Sequence, residues 1–133
     1  MERIRVLLVE PGEKPRLVTV PHTLDELQKL VDDLIQATYP YDDPVALVCA
    51  DNGKCKGFVA NRMLEDDNGE PYDIICGTFF ICGLSPTDFA SISDELAEKY
   101  MKKFEAPEVF MRTADGHVVQ FKLKAGSKPR VIV

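Results

Sequence analysis

No apolar run in the chain approaches the ~20 residues needed to cross a bilayer. The N-terminus, Met1-Glu2-Arg3-Ile4-Arg5, has no apolar h-region and no small-residue cleavage site, so no signal peptide is predicted and the cytoplasm is the expected compartment. Histidine is scarce: His22 and His117, both beside turns, are the only imidazoles that could serve a thiol or hydroxyl nucleophile. Short C-x2–4-C knuckles are missing, which argues against structural zinc. A glycine-rich loop opening a helix is missing too. Gly53-Lys54-Cys55-Lys56-Gly57 runs into Phe58-Val59, without the helix N-terminus that makes phosphate loops work. There is no fixed-period repeat and no low-complexity segment, so residues 1–133 are expected to form a single α+β domain with a loose tail at 125–133.

What is present suits a chain able to bury its own core: 133 residues, 45% hydrophobic and 29% charged. The formal net charge is −6. Residues 1–98 hold 8 basic and 19 acidic side chains, and residues 99–133 hold 8 basic and 3 acidic ones. Either solvated faces fall unevenly along the chain, or the surface is bipolar and binds a charged partner or a second copy. The overall charge argues against nucleic acid, although Lys99, Lys102, Lys103, Lys122, Lys124, Lys128 and Arg130 could gather into one basic patch. It is also too mild for acidic DNA mimicry.

Ile4 to Val9 reads as a buried strand, closed by Pro11-Gly12 and followed by a second strand through Leu17, Val18 and Val20. Thr23 and Glu26 form a capping box, and Leu24, Leu27, Leu30, Val31, Leu34 and Ile35 make an apolar stripe. This predicts a helix over 25–36 that ends before Pro40. Val45 to Cys49 is a strand, and a return strand is predicted over 54–59 after Asp51-Asn52-Gly53. The acidic turn at 65–70 precedes Tyr72 to Cys82, read as one central strand. Ser85-Pro86 predicts a short helical turn, and Ser93 caps a second helix whose buried face includes Leu96, Ala97, Tyr100, Met101 and Phe104. Strands 109–113 and 118–123 flank Asp115-Gly116, with Phe110 and Phe121 taken to oppose each other. Val131 to Val133 could pair with a free edge. The predicted fold is α+β: a mostly antiparallel twisted sheet of about five to seven strands, with two helices on one face.

Four cysteines, Cys49, Cys55, Cys76 and Cys82, are expected as reduced, buried core residues. On one strand Cys76 and Cys82 would lie roughly 20 Å apart, too far to share a metal. Asp66-Asp67-Asn68-Gly69-Glu70 lacks the alternate-position oxygens of a calcium loop. No metal or cofactor is therefore expected. The segment that draws attention is Tyr39-Pro40-Tyr41-Asp42-Asp43-Pro44. It is either a rigid turn with its tyrosines packed on apolar surface, or a preorganised recognition loop.

That loop, with Val45-Ala46-Leu47-Val48, Asn61-Arg62 and the run from Tyr72 to Ile81, resembles a family of small uncharacterised bacterial proteins known only as a domain of unknown function. Its members occur largely in Gram-positive bacteria, often on conjugative elements or phages. The Thr23-Leu24 helix start and Lys99 to Phe104 fit as well, and the likeness runs to about Phe110. The resemblance implies no activity, cofactor or catalytic residue. It implies an accessory role on a mobile element, so a non-enzymatic module binding a host or element-encoded protein is expected. The alternative is a small enzyme or ligand-binding protein using Tyr39, Tyr41, Asp42, Asp43, Asn61 and Arg62.

Overall fold

The computed structural model describes residues 2–54 and 56–132. The alternation of side chains along a strand explains its centre. β1 (Arg3–Val9) pairs antiparallel with β2 (Arg16–Pro21) on one side and with β7 (Phe79–Leu84) on the other. β7 in turn pairs with β4 (Val45–Ala50), and β4 with β3 (Ile35–Thr38). The order is β2-β1-β7-β4-β3, and β8 (Phe89–Ala90) adds a sixth strand on β7. All of these pairs are antiparallel.

Every residue of β4 is buried, because both faces of the sheet are covered. Ile4, Val6, Leu8, Ala46, Val48, Phe80 and Cys82 meet α1 (Leu24–Val31) through Leu27 and Val31. Leu7, Val9, Val45, Leu47, Phe79 and Ile81 point the other way. They meet α2 (Asp94–Lys103) through Ala97 and Tyr100, its C-cap residue Phe104, and a hairpin of β5 (Ala60–Glu65) and β6 (Pro71–Cys76) through Leu64 and Ile75. The helices thus lie on opposite faces, not together on one. A strand apolar on both sides needs a cover on each.

A third, small sheet follows α2: β9 (Glu108–Arg112), β10 (Val118–Lys122) and β11 (Arg130–Val131), in the order β11-β10-β9. In the tail, Val131 pairs with Val119, and Arg130 reaches the Glu65 carboxylate at 3.0 Å and the Gly69 carbonyl. Val133, named for edge pairing, lies outside the described residues. Phe121 pairs with Val109, and Phe110 with Gln120, so the two phenylalanines are not cross-strand partners.

Five further expectations are corrected. The first helix stops at Val31, where Asp32 turns left-handed (φ 59°) and donates its N–H to Gln28. Aspartate tolerates that conformation better than most residues. Thr23 accepts from the Glu26 N–H at 3.3 Å, but the Glu26 carboxylate turns to Lys29 at 3.1 Å, leaving the capping box half made. The run from Tyr72 to Cys82 is two strands in two sheets. Gly77 breaks it at φ 83°, and a Cβ there would stand 2.7 Å from the Phe58 ring. Lys54, Lys56 and Gly57 lie in turns and Phe58 and Val59 lie outside any sheet, so no return strand forms over the described residues of 54–59; Cys55 lies outside them. At 85–88 the Ser85 hydroxyl accepts from the Asp88 N–H at 3.0 Å, making a tight turn into β8 instead of a helix.

The early helix stop separates two leucines of the predicted stripe. Leu27 is 3% exposed and Leu34 57%. Leu27→Ala is expected to cost about 2–5 kcal/mol. Leu34→Ala should stay within about 0.5 kcal/mol of the native chain. Denaturant melts of the two variants check the pair, and equal losses would contradict the packing.

Candidate functional site

Residues 39–44 join β3 to β4 and lie against α2. The Tyr41 ring sits 5.0 Å from that of Tyr100, which is buried, and Lys103 Nζ lies 5.2 Å over the Tyr41 ring. Asp43 is held from both sides: the Tyr100 hydroxyl donates to its Oδ2 at 2.6 Å and Lys99 Nζ does so at 2.5 Å. The Lys99 and Tyr100 hydrogen bonds hold the Asp43 carboxyl below the usual range. Burial pushes the Tyr41 and Tyr100 hydroxyls up, and the bond to Asp43 raises Tyr100 further. The Tyr41 hydroxyl is buried with no hydrogen-bond partner among the described residues. Tyr39 and Asp42 face solvent.

Asn61 and Arg62 are in a different setting. A register shift between Ala60 and Arg62 lets two successive side chains of β5 both turn inward, and both are completely buried. The Asn61 amide donates to the Val9 and Gly77 carbonyls, each at 2.9 Å. Its Oδ1 accepts from Arg62 Nη1 at 2.8 Å. Arg62 Nη2 donates to the Glu13 carbonyl at 2.7 Å and to Phe104, the C-cap of α2, at 2.9 Å. Glu108 Oε2 stands 3.9 Å from Arg62 Nε, and Glu108 Oε1 accepts from Gln120 Nε2 at 2.8 Å and the Met63 N–H at 3.1 Å. Burial lowers the Arg62 pKa and raises that of Glu108, while their mutual attraction opposes both shifts. Among the six residues of the sequence-predicted site, the structure therefore separates a solvent-facing pair, a helix-bound pair and a fully buried pair.

Of the three described thiols two are similarly enclosed, while Cys76, expected in the core, is partly exposed, and Cys55 lies outside the described residues. Cys49 and Cys82 are buried, and burial pushes the Cys82 thiol up to about 12, away from a reactive thiolate. His22 lies between carboxylates, 3.4 Å from Glu2 and 3.6 Å from Asp88. Among the described residues no group of three or more His, Cys, Asp or Glu side chains is placed to hold a metal ion. No described helix is long and apolar enough to cross a membrane.

An open cleft of about 500 Å³ lies between the β5–β6 hairpin and the small third sheet. Tyr72, Ile74, Phe110, Met111, Val118 and Ile132 give it apolar walls, and the Lys54–Asp73 ion pair and Arg112 stand among them. Tyr72 is 56% exposed and Met111 55%. Sequence reasoning missed these residues because it ran Tyr72 and Ile74 into a central strand. The glycine at 77, inside an otherwise apolar run, was the signal that could have placed them elsewhere.

An antiparallel sheet covered on both faces, with a buried arginine staple at Arg62, defines an α+β domain. The chain belongs to the family described as Domain of unknown function (DUF3846), which it matches over residues 4–105. No curated protein and no solved structure matches it. The family segment ends three residues before β9, so the apolar cleft lies where the third sheet meets the family fold.

Proposed function

We propose that the chain is a non-enzymatic, cytoplasmic protein-interaction module, and that the cleft between the β5–β6 hairpin and the third sheet is its docking surface. The partner class, a host protein or one encoded by the same mobile element, follows from the family resemblance. The supporting observation is the exposure of Tyr72 and Met111 at the cleft. Tyrosine and methionine are enriched in protein interfaces, and an aromatic anchor beside a pocket is the usual source of binding energy. Tyr39 is a further exposed aromatic, 60% exposed on the 39–44 loop.

Tagged native chain and a Tyr72→Ser/Met111→Ser variant, matched in melting temperature, should be compared in quantitative affinity capture from host lysate. A partner retained by the native chain and depleted about tenfold or more by the variant is expected, since hot-spot truncations cost 2 kcal/mol or more. Equal recovery of every captured protein would sink the proposal.

A further inference from the structure

We propose that a second, lysine-lined cleft binds a compact phosphate-rich anion: a small ligand carrying a chain of two or three phosphates. The cleft measures about 380 Å³ and lies on three segments distant in sequence. Lys14 comes from the β1–β2 turn, Lys102 and Lys103 from the last turn of α2, Lys122 from the end of β10 and Lys124 from just past it. Glu105 is the single acidic residue among the lining.

The frame of the cleft is fixed by bonds already described and one more. Arg62 holds the carbonyl of Glu13, beside Lys14, and that of Phe104, beside Glu105. The Leu123 N–H donates to the Pro107 carbonyl at 2.8 Å, tying the end of β10 to the segment after α2. The lysines are thus gathered by a rigid backbone before any ligand arrives, which lowers the ordering cost of binding. Lys14, Lys122 and Lys124 form no ion pair among the described residues, while Lys102 pairs on the surface with Glu98 at 3.3 Å.

Size and charge select the ligand. The five lysines and Glu105 sum to +4, leaving the rest of the chain at −10. Screening confines a surface charge to about 8 Å at physiological salt. A compact anion inside the cleft meets the lysines, whereas a long nucleic acid also meets the acidic remainder. The lining has no arginine to fork onto a carboxylate and no aromatic ring to stack a base, so phosphates are read as charge alone.

The test is calorimetric titration of the full chain with inorganic tripolyphosphate, with ATP and with a single-stranded oligonucleotide. Native chain should bind tripolyphosphate and ATP with similar affinity. Lys14→Gln/Lys122→Gln/Lys124→Gln should weaken both about tenfold or more, as loss of three charges near a multivalent anion requires. Lys29→Gln on α1, and the Tyr72→Ser/Met111→Ser variant, should leave binding unchanged. The last control separates this site from the apolar docking surface. Circular dichroism of the triple variant confirms that these surface changes leave the fold intact. Absent binding, equal binding to the triple variant, or tighter binding of the oligonucleotide would each overturn the proposal.

Discussion

Arg62→Ala should lower stability by about 3–5 kcal/mol, the loss found when one member of a buried charged pair is removed. The truncation strands several groups together: the Glu108 carboxylate, the Asn61 oxygen, and the carbonyls of Glu13 and Phe104. Lysine should rescue little. A lysine ammonium cannot present the fork that spans Asn61, Glu13 and Phe104 at once. Glu108→Gln should cost less than Arg62→Ala, because Gln120 and the Met63 N–H still have an oxygen to meet. Chemical denaturation of the three variants checks the ranking. An Arg62→Ala loss under about 1 kcal/mol would show that water reaches the guanidinium and that the staple is not needed.

Phe79→Ala is expected to cost about 3–5 kcal/mol. The ring is completely buried at the start of β7 and meets Phe104 edge to face at 5.3 Å. Its loss opens a void between the central sheet and the end of α2, where backbone hydrogen bonds on both sides limit collapse. Phe79→Leu should recover much of that loss, since volume is largely kept. Thermal melts distinguish the outcomes. Similar losses for alanine and leucine would mean that ring geometry matters more than volume.

Local chemistry carried much of the fold. Ser93 caps α2 as its position implied, accepting from the Leu96 N–H at 3.2 Å, and Thr23 marks the start of α1. The paired strands around Asp115-Gly116 and the first hairpin were readable from alternation and turn residues. Periodicity failed where two different structures share one apolar spacing. Leu34 and Ile35 continue the helical stripe, yet Ile35 belongs to a strand pairing with Ala50. Only the backbone preference of Asp32 marked the boundary. The run through Gly77 failed for the complementary reason, because hydrophobicity says that a segment is buried without saying in which sheet. Arg62 was named as a candidate site residue, but its complete burial was not legible in the sequence. Arginine is rarely buried, and what permits it here is a set of carbonyls supplied by Glu13 and Phe104, 49 and 42 positions away.

The position of β7 also governs how the chain acquires its shape in time. Leu7 pairs with Ile81, so β1 finds its inner neighbour only 74 positions later. The β1–β2, β3–β4, β5–β6 and β9–β10 hairpins close over short distances and form early, whereas the central seam waits for a distant strand. At about 5–20 residues per second, a nascent β1–β2 hairpin spends roughly 3–13 s with an apolar edge unpaired before β7 is made. A nascent chain halted before Phe79 carries that edge indefinitely, and is the form of this protein most exposed to chaperones and to mispairing with its own neighbours on a polysome.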